Sequence, residues 1–136
     1  MAKIMAQLYL VKNMFKFTIQ GQPITKKNSM QIITNRSTGR AQIIPSKQYK
    51  QYLKDCKLFM PAIDTIDSPI NLQTIYYMKT RRKVDLTNLM AATHDILTHY
   101  KVIADDNMSI IVGVDGSRVK YDKENPRVEV TIQWLI

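Results

Sequence analysis

The sequence is poor in cysteine and has no long apolar run, and each lack excludes a class of protein. Its single cysteine, Cys56, has no partner for an internal disulfide or a thiolate metal site, and a lone thiol suits a reducing compartment. No segment approaches the roughly 20 apolar residues that span a bilayer. Polar residues interrupt the apolar N-terminal stretch and no small-residue cleavage site follows it, so we expect no signal peptide. These lacks predict a cytoplasmic protein that makes no membrane contact.

Acidic residues are also few, and this shortage points to a polyanionic partner. The 136 residues include 11 Asp and Glu against 20 Lys and Arg, which gives a formal net charge of +9. Each phosphate that a basic surface neutralises releases counterions, so a strongly basic chain favours nucleic acid as its ligand. A merely basic soluble protein is the alternative. Nucleic acid is the better interpretation because the cations cluster beside acidic residues and do not form a tail.

Length and patterning predict one α+β domain. A chain of 136 residues with 45% hydrophobic content can bury a core without disulfides. Alternating apolar and polar residues predict strands at 15–20, 30–34, 41–44, 70–78, 108–114, 117–121 and 127–136, and helical spacing predicts helices at 47–59 and 86–100. A turn at Asp115-Gly116 is expected to fold strand 117–121 back onto strand 108–114. We therefore expect a single compact domain with one mixed β-sheet and two main helices.

The segment from Arg81 to Asn107 carries the candidate chemistry. Basic residues precede Asp85, an amphipathic helix follows, and Asp105-Asp106 comes after the helix. Carboxylates beside cations are typical of metal-dependent nucleases, in which the acids hold a metal ion and the cations hold phosphate. The alternatives are local: Asp85 sits where a helix N-cap belongs, and Asp and Asn are common in turns that precede strands.

Two groups of cations are placed to hold phosphate. One follows the first strand, and the other joins strand 70–78 to Asp85. The candidate DNA-binding residues are Lys26, Lys27, Lys79, Arg81, Arg82 and Lys83. Arg36 and Arg40 could also reach DNA from the tip of a hairpin formed by strands 30–34 and 41–44. Solvated surface loops are the alternative for each of these segments.

The order and spacing of these residues resemble the RusA-like family of Holliday-junction resolvases, over about residues 15–132. The resemblance rests on Asp85-Leu86, Asn88-Leu89, Asp95-Ile96-Leu97, Val102-Ile103 and Asp105-Asp106, and more loosely on the tail 125–132. It implies a small homodimeric Mg²⁺-dependent endonuclease of phage or prophage type that acts on branched DNA, with Mn²⁺ as an alternative ion. Residues 14–136 would form the nuclease domain, and residues 1–13 would be an N-terminal extension.

The resemblance also implies roles for four acids. Metal ligands would be Asp85, Asp105 and Asp106, and the helix acid Asp95 would be a further catalytic residue. The chain departs from the family pattern at two positions. Thr87 stands where a second catalytic Asp is usual, and Ala91 stands where a Lys is usual.

These departures leave alternatives open. Asp105 or Asp95 could supply the missing acid, and a cation of the 79–83 segment could supply the missing positive charge. A DNA-binding relative that has lost catalysis is the first alternative to an active nuclease. An unrelated RNA- or protein-binding module is the second.

Overall fold

Seven strands and two helices make up the described part of the chain. The structure, a computed structural model, describes residues 13–26 and 30–135. The strands are β1 (Met14–Gln20), β2 (Met30–Thr34), β3 (Ala41–Pro45), β4 (Ile70–Met78), β5 (Ile111–Gly113), β6 (Arg118–Tyr121) and β7 (Arg127–Trp134). The helices are α1 (Lys47–Cys56), continued by a 3₁₀ turn (Lys57–Phe59), and α2 (Leu86–His99). Residues 1–12 of the expected extension and the candidate cation Lys27 lie outside the described residues.

Five strands form one mixed sheet around β4. β7 lies between β1 and β4 and pairs antiparallel with both of them. On its other side, β4 pairs parallel first with β5 and then with β6. The remaining strands, β2 and β3, form a separate antiparallel hairpin. The prediction of a single α+β domain with a mixed sheet and two main helices is confirmed.

Burial alternates along β4 and defines the core. Every second residue from Ile70 to Met78 is buried, while the residues between them are only partly buried. Side chains from both helices belong to the same apolar cluster, including Tyr52 and Cys56 from α1. A buried hydrogen bond of 2.8 Å between the hydroxyls of Tyr76 and Thr93 links β4 to α2. The packing of α2 on β4 fixes the position at which the helix begins, shortly after residues 79–83, which we call the basic segment.

Of the two residues predicted to cap the helices, only Ser46 does so. The Ser46 hydroxyl caps α1 by accepting the Tyr49 amide at 3.2 Å, as the sequence predicts. Asp85 occupies the N-cap position of α2, but its side chain makes no capping hydrogen bond. Neither described helix has the length and apolar composition needed to cross a bilayer.

Two predictions for the C-terminal strands are wrong. The strand expected at 108–114 is confined to Ile111–Gly113, because Asn107 holds the preceding residues in a turn: its side chain accepts the Ser109 amide and its carbonyl accepts two further amides. β6 does not fold back onto β5, since each strand pairs with β4. The Asn71 side chain donates to the Asp115 carbonyl at 3.2 Å and accepts its amide at 2.9 Å. The turn therefore moves the chain along β4 and does not reverse it.

The predicted hairpin is present and carries its cations at the tip. Residues of β2 and β3 pair in register, with Ile32 opposite Ile43, and these two side chains are 75% and 68% exposed. Asn35 stabilises the connecting turn by accepting the amides of residues 37 and 38. Arg36 and Arg40 are exposed at this tip. Their contact with DNA stays a prediction.

Candidate active site

Asp85 presents a carboxylate that is free of the role of a helix cap. The Asp85 carbonyl accepts the amides of Asn88 and Leu89, which starts α2. Among the described residues, its carboxylate makes one hydrogen bond, in which the Asn88 side-chain amide donates at 3.4 Å. An exposed carboxylate held at the start of a helix is well placed to bind a metal ion.

Asp105 and Asp106, which follow α2, have different roles. Asp105 uses its carboxylate locally: one oxygen accepts the Asp106 amide at 2.7 Å and the other accepts the Asn107 side chain at 3.2 Å. Among the described residues, the exposed Asp106 carboxylate has no hydrogen bond or ion pair. Asp106 is therefore the acid of the pair that is available to a ligand, and Asp105 orients the loop that carries it.

His94 lies within electrostatic range of both Asp106 and Asp95. Burial lowers the pKa of His94, whereas the negative charges of Asp106 and then Asp95 raise it. The chain after the helix thus returns toward the middle of α2. His94 shares a helix face with Thr87 and Ala91, because three- and seven-residue spacings bring side chains to one side.

The described residues do not by themselves assemble a complete metal site. Within residues 13–26 and 30–135, no three acid, histidine or cysteine side chains are grouped closely enough to hold a metal ion. The donor chemistry nevertheless fits Mg²⁺, which prefers oxygen ligands and is often bound by one or two carboxylates plus water and phosphate. A ligand set of Asp85, Asp106 and Asp105 stays a prediction.

Asp95 lies on a different side of α2. It faces α1 across a small cleft of about 230 Å³, which is lined by Lys26, Tyr49, Lys50, Leu53, Asp95 and His99. Burial, with a contribution from the Asp95 charge, raises the pKa of Tyr49 to about 12. The candidate DNA-binding residue Lys26 lies in this cleft with Asp95. Asp95 therefore contributes to the charge balance between the two helices, and its catalytic role stays a prediction.

The basic segment between β4 and Asp85 borders a larger polar cleft. This cleft has a volume of about 640 Å³ and is lined by residues of the loop after β1 and by Arg82 and Lys83. The Lys79 amide donates to the Gln22 side chain at 2.7 Å, which ties the two loops together. The four candidate cations Lys79, Arg81, Arg82 and Lys83 are all exposed. The structure thus brings positive charge to the entrance of α2, where Asp85 begins the helix.

Sequence patterning missed two features near this site. His94 has a buried Nε2 atom without a hydrogen-bond partner among the described residues. Its seven-residue spacing from Thr87 was the only signal that could have identified it. The second feature is β6, which places Arg118, Lys120 and Tyr121 beside the end of β4. Only the parallel pairing of β6 with β4 reveals this neighbour, because the sequence favoured a hairpin with β5.

A comparison with models of known families assigns the chain to one of them. The family model described as Endodeoxyribonuclease RusA matches residues 20–133. The chain belongs to the RusA family of endodeoxyribonucleases. The matched range contains Asp85, Asp105, Asp106 and the basic segment before α2, so the described site lies within the RusA region. A search of curated proteins found no match.

Membership in the RusA family gives the coarse activity. RusA proteins are endodeoxyribonucleases, and the expected resemblance to this family is confirmed. Phosphodiester hydrolysis needs groups that stabilise charge on phosphate, and the exposed Asp85 carboxylate with the cations before it is chemically suited to that need.

Proposed function

We propose that this RusA protein is a divalent-metal-dependent endonuclease that cuts branched DNA, with the four-way junction as its substrate. The observation that carries the proposal is the exposed Asp85 carboxylate at the start of α2, which caps no backbone amide and follows a segment of four exposed cations. The family match supports the same chemistry. Such an enzyme would act on DNA in the cytoplasm of a bacterial host.

Asp85 and Asp106 would hold the ion, which is Mg²⁺ or, as an alternative, Mn²⁺. When bound, the ion would acidify the attacking water and offset charge that develops on the phosphate. Asp105 would keep the Asp106 loop in place through its bonds to residues 106 and 107. Arg82 and Lys83 would bind the phosphates on either side of the cut, which gives affinity without base readout.

A homodimer would suit the proposed substrate. A four-way junction has two symmetry-related strands to cut. In a two-fold dimer, the two active sites are related by the same symmetry, so each site can reach one of these strands. The proposal therefore includes a second copy of the chain. Paired nicks at symmetric positions on a junction would support it, and independent single nicks would argue against it.

The test is cleavage of an end-labelled synthetic four-way junction with Mg²⁺ and with Mn²⁺, beside a linear duplex of the same sequence. Asp85→Asn and Asp106→Asn should each lower the rate by about 100-fold or more, since a metal ion contributes several kcal/mol to catalysis. Asp64→Asn is the matched control, because Asp64 is also exposed but lies on the connector before β4. Cleavage that survives both site substitutions would remove the proposed mechanism.

One observation favours a second candidate, a RusA-family protein that binds branched DNA without cutting it. The side chains at Thr87 and Ala91 are exposed and provide neither a carboxylate nor an amine. The described chain also assembles no three-ligand metal cluster. Tight junction binding with no cut strand in either metal would identify this alternative.

A further inference from the structure

β6 forms an exposed edge beside the proposed active site. It pairs in parallel with the last part of β4, so that Val119 aligns with Tyr76 and Tyr121 aligns with Met78. Aligned residues of paired strands point to the same face of a sheet. The Tyr121 side chain therefore lies on the face that carries α2, at the end of β4 from which the basic segment leaves.

Tyr121 is exposed although it lies on the face that bears the core. Its side chain is 42% exposed, because β6 is an edge strand and extends the sheet beyond the strands that pack on α2. The guanidinium of Arg81 lies 4.1 Å from the centre of the Tyr121 ring. This contact supports the ring on one side and connects β6 to the segment that leads into Asp85.

Tyr77 also contacts an arginine, but the charge of that arginine is neutralised. Tyr77 also has an arginine over its ring, Arg127 at 3.7 Å, but Arg127 is neutralised by salt bridges to Asp122 and Glu129. The Tyr77 hydroxyl donates to Glu129 at 3.2 Å. Tyr77 and Arg127 therefore form a closed structural network on the other face of the sheet.

Arg81 has no such acidic partner. Among the residues that the structure describes, neither salt bridge includes Arg81. Arg118 and Lys120 of β6 are exposed as well, but they alternate with Tyr121 and lie on the other face of the sheet, where the Lys120 amine is 5.7 Å from the centre of the Tyr77 ring. A partly exposed aromatic ring beside the unneutralised charge of Arg81 matches the chemistry of a nucleotide, whose base stacks on the ring and whose phosphate meets nearby cations.

We propose that Tyr121 is a stacking platform for an unpaired base of a DNA strand, with Arg81 beneath the ring and the neighbouring Arg82 and Lys83 along the adjoining phosphates. The inference rests on the proposed function and specifies how that site selects its substrate. A linear duplex keeps its bases stacked, whereas a branch point can release one. Because Arg81 precedes Asp85 by four residues, the captured base would lie close to the strand that is cut.

The test measures binding without cleavage, in Ca²⁺ buffer, by fluorescence anisotropy. The probes are a labelled four-way junction, a linear duplex of the same sequence and a short single strand, and the proteins are the wild type, Tyr121→Leu and Tyr121→Phe. Tyr121→Leu should weaken binding to the junction and the single strand by about 5- to 150-fold, which is the range for loss of one stacked base. Tyr121→Phe, which keeps the ring, should bind within about twofold of the wild type. Duplex affinity should not change, because a duplex offers no free base.

A second readout reports the stacking itself. A junction with 2-aminopurine at the branch should lose fluorescence when the wild type or Tyr121→Phe binds, and should keep it with Tyr121→Leu. Equal junction affinity for Tyr121→Leu and the wild type, or equal losses on junction and duplex, would overturn the platform while leaving the nuclease proposal intact. A wild type that binds no DNA would overturn both. Matching thermal melting curves for the three proteins exclude a folding defect.

Discussion

The salt dependence of DNA binding tests whether the basic segment before α2 holds phosphate. Arg82 and Lys83 are exposed and line the polar cleft beside Asp85. Each cation that neutralises one phosphate of duplex DNA adds about 0.9 to the slope of log K against log salt. The double variant Arg82→Gln/Lys83→Gln should therefore have a slope smaller by about 1.8 than that of the wild type.

This difference is large enough to measure directly. Between about 50 and 200 mM salt, a slope difference of about 1.8 corresponds to a roughly 12-fold greater loss of affinity for the wild type than for the double variant. The assay is anisotropy titration of a labelled linear duplex at four or more salt concentrations. A duplex is the suitable ligand because it isolates the phosphate contacts from any recognition of the branch.

The matched control has the same change in charge at a different place. Lys54→Gln/Lys57→Gln removes two exposed cations from the end of α1 and the 3₁₀ turn. Its slope should stay within experimental error of the wild type, since net charge alone contributes little at this range of salt. The reasoning is refuted if both double variants lower the slope equally, or if neither does.

Two further predictions concern the stability of the scaffold. Thr93 also donates to the Leu89 carbonyl, so Tyr76→Phe should cost only about 1 kcal/mol of unfolding free energy. Thr93→Val leaves the buried Tyr76 hydroxyl without that partner and should cost more, about 1–3 kcal/mol, in urea denaturation; the reverse order would contradict the assigned hydrogen bond. Hydrogen bonding to Arg127 lowers the pKa of Asp122 below its usual value of 3.8. The ionised Asp122 carboxylate therefore stabilises the fold above pH 3.8, and this stabilisation is lost as the pH falls through the lowered pKa. Asp122→Asn should therefore lower the urea midpoint at neutral pH and have no effect in strong acid, and a pH-independent difference would exclude this linkage.

Most of the fold could be predicted from local patterns. β4 is predictable because its apolar residues alternate, and its core face is the one that the alternation indicates. α1 begins after Ser46, whose hydroxyl caps it as expected. The arrangement of β5 and β6 could not be predicted, because a turn signal such as Asp115-Gly116 does not show which strand pairs with its flanks. The side chain of Asn71, distant in sequence, holds that turn.

The candidate site, like the fold, could be predicted only in part from the sequence. The sequence singled out Asp85 and Asp106 by type and spacing, but both also suited a cap or a turn. Only the folded chain shows that the Asp85 carboxylate caps nothing and that Asp105 uses its own carboxylate to hold the loop. Asp95 and Lys26 seemed equivalent to the other candidates by sequence, yet they face α1 in a separate cleft.

By itself, the sequence determined the family, the basic character of the surface and the identity of the acids, because these depend on residue types and on their spacing along the chain. The tertiary structure decided which of these groups are free and which are neighbours. Tyr121 and Arg81 are 40 residues apart in sequence, and they meet because β6 pairs with β4. Strand pairing is a long-range contact, and the local preferences that sequence patterns report carry little information about it.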